Sequence, residues 1–342
     1  MGFGDLRGWL GSIALGLVFA GNLSVFNGSS AAAQSDNLNV VVTIKPIHSL
    51  VAQVIDGLGT PTLLIEGQAS PHAFALRPSD AKALSGADVV VRVGPSVEPF
   101  TVRLAETLPA ATTLVTLVEA PGVKLLETRR GSRFEAHEHG DAHDHGHSET
   151  KTGEGQDHGD KDELDRDHDA GGMDGHIWLD PDNAIAIAQY IADVLGSRHP
   201  QLKERLAANV AKATSHIEAL DAELRAGLAP IAGKPFVVFH DAYQYFERHF
   251  GLQAAGAITL SPEVKPSARR LSEIRETLAE TGAGCVFAEP QFSPRIVASV
   301  IEGSQAKAGT LDPIGLDIPA GPGQYAALMR GLAKGLEECL GK

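Results

Sequence analysis

A chain of 342 residues with 43% hydrophobic and 21% charged residues is long enough for about two domain cores and too apolar to be a disordered polypeptide. Its net charge of −14 comes with no basic patch and only 5% aromatic residues, which argues against nucleic acid as a partner. The acidity is also local: residues 135–174 hold fourteen Asp and Glu against three Lys and Arg, so the remainder of the chain is close to neutral.

Arg7, an apolar run from Ile13 to Phe19 and the small triplet Ala31-Ala32-Ala33 have the layout of a secretory signal over residues 1–33, cleaved near Ala33. The run is too short to span a bilayer, and Gly16, Gly21 and Asn22 interrupt the region. No cysteine stands near the cleavage point to carry a lipid, so the mature chain is expected to diffuse freely in a periplasm.

Short β-branched runs then alternate with helical patterns. Asn39 to Ile44, Thr62 to Ile65 and Val89 to Val93 read as buried strands, and Pro46 to Ile55 and Pro78 to Ser85 as helices between them, the rhythm of a parallel α/β sheet. Residues 135–174 contain almost no apolar side chain to offset the entropy of ordering, and read as a disordered insertion in a loop. A strand-like piece follows at His176 to Leu179, after which Asp180-Pro181 supplies an N-cap and first-turn proline for a helix reaching about Gly196. From Pro200 the apolar residues Leu202, Leu206, Val210, Ala213, Ile217, Leu220 and Leu224 keep helical spacing up to Gly227, which predicts one long helix of roughly 40 Å at 1.5 Å per residue. The second half repeats the first: strands at Phe236 to Phe239, Ala255 to Thr259, Val286 to Ala288 and Gly309 to Leu311, with helices at Tyr243 to Phe250, Ser267 to Glu280, Pro294 to Glu302 and Tyr325 to Leu340. The fold expected is α/β, with two lobes, each a mainly parallel sheet with flanking helices, joined by one long helix. Its parts are an N-terminal lobe over 36–199 including the insertion, a linking helix over 200–229 and a C-terminal lobe over 234–342.

Three histidines stand at or near strand ends: His72 in Ser70-Pro71-His72, His176 in Asp174-Gly175-His176 and His240 in Phe239-His240-Asp241. In open α/β sheets the carboxyl ends of strands are where ligands collect. One histidine at such a place more often bonds a carbonyl or caps a helix, but three with a carboxylate, Asp312, match the four tetrahedral positions of zinc. Asp312 can equally be the turn residue before Pro313. The insertion adds His137, His139, His143, His145, His147, His158 and His168 among its acids, a density that binds divalent first-row metals without fixed geometry. No Walker loop, nucleophile elbow or helical His-Glu-x-x-His motif is present, and no enzymatic activity is expected. Two cysteines, Cys285 and Cys339, either pair in an oxidising compartment or remain as buried thiols.

Several longer motifs carry a resemblance: TIKPIHSL from Thr43, SPHAFALRPSD from Ser70, HIWLDP from His176, VVFHDAYQYF from Val237, CVFAEPQF from Cys285 and GTLDPIG from Gly309. In these, and in their order, the chain resembles the zinc-binding receptors of bacterial ABC importers, within the cluster of metal receptors that have a rigid helix between lobes. The likeness runs from about Asn39 to the C-terminus, outside the insertion. It implies that His72, His176 and His240 are zinc ligands, with Asp312 or water in the fourth position, and that Cys285 and Cys339 are bridged. It also implies a monomer that hands Zn2+ to the membrane permease of an importer, with the His-rich loop as an auxiliary metal-binding segment. Manganese-type members resemble this pattern but carry a carboxylate where His240 stands. Zinc members often have an acid immediately before the first histidine, where this chain has Pro71. The rival readings are a receptor for manganese or another divalent ion, a periplasmic zinc hydrolase, and a metal buffer in which the insertion does all the binding.

Overall fold

The computed structural model describes residues 38–67, 69–131, 133–134, 172–259 and 261–341. The signal segment and the seven histidines of the insertion, His137 to His168, lie outside the described residues.

The first half alternates strand and helix: β1 (Val40–Val42), α1 (Lys45–Val54), β2 (Thr62–Leu63), α2 (Pro78–Ser85), β3 (Val89–Arg92), α3 (Thr101–Thr107) and β4 (Thr113–Thr116). The four strands pair in parallel in the order β2-β1-β3-β4. Every residue of β1 and β3 is buried, as continuous valine runs require when helices cover both faces. Sequence patterning assigns no element at α3 or β4. Two short strands follow, β5 (Leu126–Glu127) and β6 (Met173–Asp174), paired antiparallel with Leu126 opposite Asp174. They close the neck of the insertion, so its expected far end at 172–174 is ordered strand and approach, not loop.

His176 to Leu179 is not the expected strand. Ile177–Leu179 forms one 3-10 turn that buries all three side chains. Helix α4 (Pro181–Arg198) starts as its sequence dictates, with Asp180 accepting a hydrogen bond from the Asp182 N–H and Pro181 in the first turn. Helix α5 (Lys203–Leu228) has 26 residues, about 39 Å at 1.5 Å per residue. It buries Leu206, Ala213, Ile217, Leu220, Leu224 and Leu228. Asn209 lies among them, and its Nδ2 donates to the Val54 and Asp56 carbonyls at 2.9 and 3.0 Å. That amide satisfies carbonyls at the end of α1, which would otherwise lack partners.

The second half comprises β7 (Phe236–His240), α6 (Gln244–Phe250), β8 (Ala254–Thr259), α7 (Ala268–Thr281), β9 (Cys285–Ala288), α8 (Arg295–Ile301), β10 (Lys307–Thr310) and α9 (Gln324–Leu340). Its strands are again parallel, in the order β10-β9-β7-β8. A disulfide joins Cys285 on β9 to Cys339 on α9, with their Cα atoms 6.2 Å apart. One apolar cluster runs through both halves, from Val40, Val91 and Trp178 through Leu220 of α5 to Phe236 and Leu332. Polar stitches cross beside it. Trp178 Nε1 donates to the Pro313 carbonyl at 2.8 Å, Ser49 Oγ to the Pro322 carbonyl at 2.9 Å, and Lys45 Nζ to the carbonyls of Leu316 and Ile318.

Candidate metal centre

The ends of β2, β6 and β7 and the segments that follow them converge at one cleft. His72 sits in a 3-10 turn, Pro71–Ala73, after β2. His176 precedes the Ile177 turn, and His240 is the last residue of β7. Each of the three offers a ring nitrogen, and these donor atoms all lie within 4.8 Å of one another. His176 Nε2 and His240 Nε2 are 3.4 Å apart. Two nitrogens bound tetrahedrally to one zinc at about 2.0–2.1 Å stand about 3.3–3.4 Å apart, so this pair already has the spacing of a zinc edge.

What lies behind the rings decides which nitrogen faces inward. Asp174 Oδ1 meets His176 Nδ1 at 2.7 Å and also accepts the His176 N–H at 2.9 Å. Glu289 Oε1 meets His240 Nδ1 at 2.6 Å and accepts from Tyr243 Oη at 3.2 Å. A carboxylate on Nδ1 fixes the tautomer with its proton there, leaving the Nε2 lone pair for a metal and making it more basic. Burial pushes the His72 imidazole well below its ordinary range, and the proximity of His176 and His240 adds to this. That direction favours the neutral ring, the form that binds metal. Burial also opposes charge on His240, but Glu289 outweighs it and raises that ring above its usual value.

The cleft is lined by Ser70, Pro71 and Trp178 on one side and by Pro262, Phe292 and Ile314 on the other, and its free volume is about 10 Å³. That is about one water-sized sphere. The space beside the three rings is enough for an ion with a small ligand.

Asp312 is not part of the three-histidine group. Its Oδ1 accepts from the Ile314 and Gly315 N–H groups at 3.1 and 3.0 Å, and its Oδ2 accepts from Leu316. The turn that runs from Asp312 through Pro313 uses both oxygens. Sequence alone assigns no role to Asp174, Glu289 or Tyr243, although Glu289 lies within the CVFAEPQF stretch. The hint it offers is an acid at the end of a predicted strand, the same position that singles out the histidines.

A second group, Asp180, Asp182 and His249, also brings three donor atoms within 4.8 Å of one another. Its hydrogen bonds differ. His249 Nδ1 meets Asp180 Oδ1 at 2.9 Å and His249 Nε2 meets Asp221 Oδ1 at 2.7 Å, while Lys124 holds Asp182 at 3.1 Å.

The family described as "Zinc-uptake complex component A periplasmic", ZnuA, matches residues 40–339. The high-affinity zinc uptake system protein ZnuA of Brucella suis biovar 1 is 42% identical over 323 residues, covering 94% of this chain and 96% of the relative. The protein of that name from Paracoccus denitrificans is 40% identical over 310 residues, covering 90% and 94%. Among solved structures, a crystal structure of ZnuA superposes with a TM-score of 0.70 at 23% identity, covering 89% of this chain and all of the other, a likeness of fold. Matched across nearly the whole length that carries both sheets and all three clustered histidines, this chain belongs to the ZnuA family of periplasmic zinc-uptake components.

Proposed function

We propose that this chain is a high-affinity receptor that captures one zinc ion between its two halves, on His72, His176 and His240, and delivers it to the membrane permease of an ABC importer. The observation that carries the reading is the pair of carboxylates behind the rings, Asp174 on His176 and Glu289 on His240. They turn two buried imidazoles into oriented, electron-rich nitrogen donors at zinc spacing, whereas a histidine that merely fills a core needs no such partner on a fixed nitrogen. A water completes the tetrahedron in this reading, because the turn occupies the oxygens of Asp312. Nitrogen donors suit zinc better than the harder manganese ion.

The rest of the proposal follows from capture. An export signal over residues 1–33 places a monomer in the periplasm. Lobes over 36–199 and 234–342 hold the ion between them, and the helix over 200–229 limits their motion. The histidines at 137, 139, 143, 145, 147, 158 and 168 gather metal at low affinity beside the tight site. A hydrolase would need room for its substrate next to an open metal position, and the narrow space beside the three rings favours a bound ion over an organic substrate.

Chelator competition with zinc and with manganese tests the proposal. One tight zinc equivalent that manganese in large excess does not displace is the expected result. Equal or stronger manganese binding would overturn the choice of ion, and turnover of simple ester or phosphate substrates by the zinc-loaded protein would overturn the receptor reading.

A further inference from the structure

The neck of the insertion leaves the first half of the chain and lies against the second. Leu126 N–H donates to Tyr245 Oη at 2.9 Å, and that hydroxyl donates to the Asp174 carbonyl at 2.7 Å. One side chain of α6 thus holds both strands of the β5–β6 ladder. Three residues further on, Arg129 reaches two carboxylates of the second half at once. Its Nε donates to both oxygens of Asp241 at 3.0 Å, and its two terminal nitrogens donate to Glu247 at 2.7 and 3.0 Å, with a further bond to Asp241. The Phe134 ring centroid is 4.1 Å from its guanidinium carbon. The Arg133 carbonyl then accepts from the Ala257 N–H at 3.1 Å and from Arg270 at 2.9 Å. Position 256 on β8 must be glycine for this approach, since a Cβ there would stand 2.9 Å from the same oxygen.

Both ends of the neck lead to a zinc donor. Asp241 directly follows His240, and Asp174 is the residue that orients His176. The carboxylates that Arg129 grips are buried, their side chains 6% and 4% exposed. A planar guanidinium can bridge two such groups with its fork, where a lysine ammonium offers only a compact charge.

We propose that Arg129 is a positioning residue for the zinc site, clamping Asp241 and Glu247 so that the end of β7 is held at one distance from the neck, and His240 at one distance from His176. The inference rests on the three-histidine zinc reading. Its chemistry is mechanical: Arg129 touches neither the ion nor its ligands, and acts through the backbone step from Asp241 to His240.

The test uses the full-length protein carrying Arg129→Lys, which keeps the charge and removes the fork, beside the parent. Zinc affinity is measured by chelator competition, and the geometry of the donors is read from the visible absorption bands of the cobalt-loaded protein. A Tm of the metal-free protein reports stability separately. The expected result is zinc affinity weaker by roughly tenfold or more, within the 10–100-fold range for residues that orient metal ligands, together with altered cobalt bands. A lowered Tm with unchanged affinity and unchanged bands would make Arg129 a purely structural ion-pair residue and overturn the proposal. If Arg129→Lys fails to fold, the same two readouts are taken on Arg129→Met with Asp241→Asn and Glu247→Gln, in which no buried charge is left unpaired. A parent with no tight zinc equivalent would sink the zinc reading and this inference with it, whereas a tight parent matched by its variants would sink the inference alone.

Discussion

Among the described residues, two groups bring three possible donor atoms within 4.8 Å of one another, His72, His176 and His240 in one and Asp180, Asp182 and His249 in the other, and their hydrogen bonds differ in kind. At the first, carboxylates stand behind two rings on Nδ1 and leave two Nε2 atoms facing each other at 3.4 Å. At the second, carboxylates take both nitrogens of His249, from α4 on one side and α5 on the other, and Lys124 neutralises Asp182. Asp180 and Asp182 also cap and line the first turn of α4, where the helix dipole already favours negative charge and disfavours a cation. Under the proposed function, what separates the two groups is not proximity but which donor atoms remain unbonded and where they point.

The contrast between the clusters is tested most severely at His240. His240→Ala should weaken zinc binding by well over a hundredfold, more than the loss of any orienting partner. Circular dichroism should show the fold retained. Retained tight binding would mean that His240 is a satisfied core residue like His249. Next come the partners themselves. Glu289→Gln and Asp174→Asn should each weaken zinc by about 10–100-fold in the same chelator assay, because a neutral amide makes the imidazole a poorer donor without moving it far. No change in either would remove the distinction drawn between the two clusters.

The second cluster should respond in stability and not in metal. His249→Ala leaves Asp180 and Asp221 facing each other without their bridge, which should cost about 1–3 kcal/mol in urea unfolding of the metal-free protein, while zinc affinity stays within about twofold of the parent, as expected for a residue outside the ligand set. A fall in zinc affinity matching that of His240→Ala would make it a second ligand site. The smallest effect is on pH. Burial disfavours charge on His249, but its hydrogen bonds to Asp180 and Asp221 raise it above the ordinary histidine range overall. A raised folded-state value means the stabilisation is fully present below the unfolded histidine range and is lost as pH rises through the folded one. The stability difference between the parent and His249→Ala should therefore be larger at pH 6 than at pH 9. A difference that grew with pH would contradict the bridging role.

Much of this is legible in the amino-acid sequence alone. The helical pattern of Pro78 to Ser85 marks α2, Asp180-Pro181 marks α4, and the spacing of Leu206, Ala213, Ile217 and Leu220 marks α5, because helix starts and buried stripes are written in local sequence. His176 to Leu179 reads as a strand, wrongly, for a physical reason. A short run of large apolar side chains buried on all sides has no period, so a 3-10 turn and a strand look alike in it. The three donor histidines can be found because each stands at or near the end of a strand or turn. Asp312 stands in the same kind of place, yet its oxygens bond three N–H groups within four residues, and sequence does not separate a turn carboxylate from a ligand. Arg129 and Tyr245 are invisible for the opposite reason. Their hydrogen-bond partners lie 71 to 119 residues away, across a fold that must exist before the contact has meaning.

The central claim is that three histidines held by the fold, and not the histidine-rich insertion, make the tight site. Its most direct test is competitive zinc titration, against a chelator of known affinity, of the exported chain with residues 135–171 deleted, alongside the same protein carrying His72→Ala. One tight equivalent in the first protein and none in the second is the predicted result. Absence of tight binding once the insertion is gone, with metal held only by the intact chain, would contradict it and leave a metal buffer in place of a receptor.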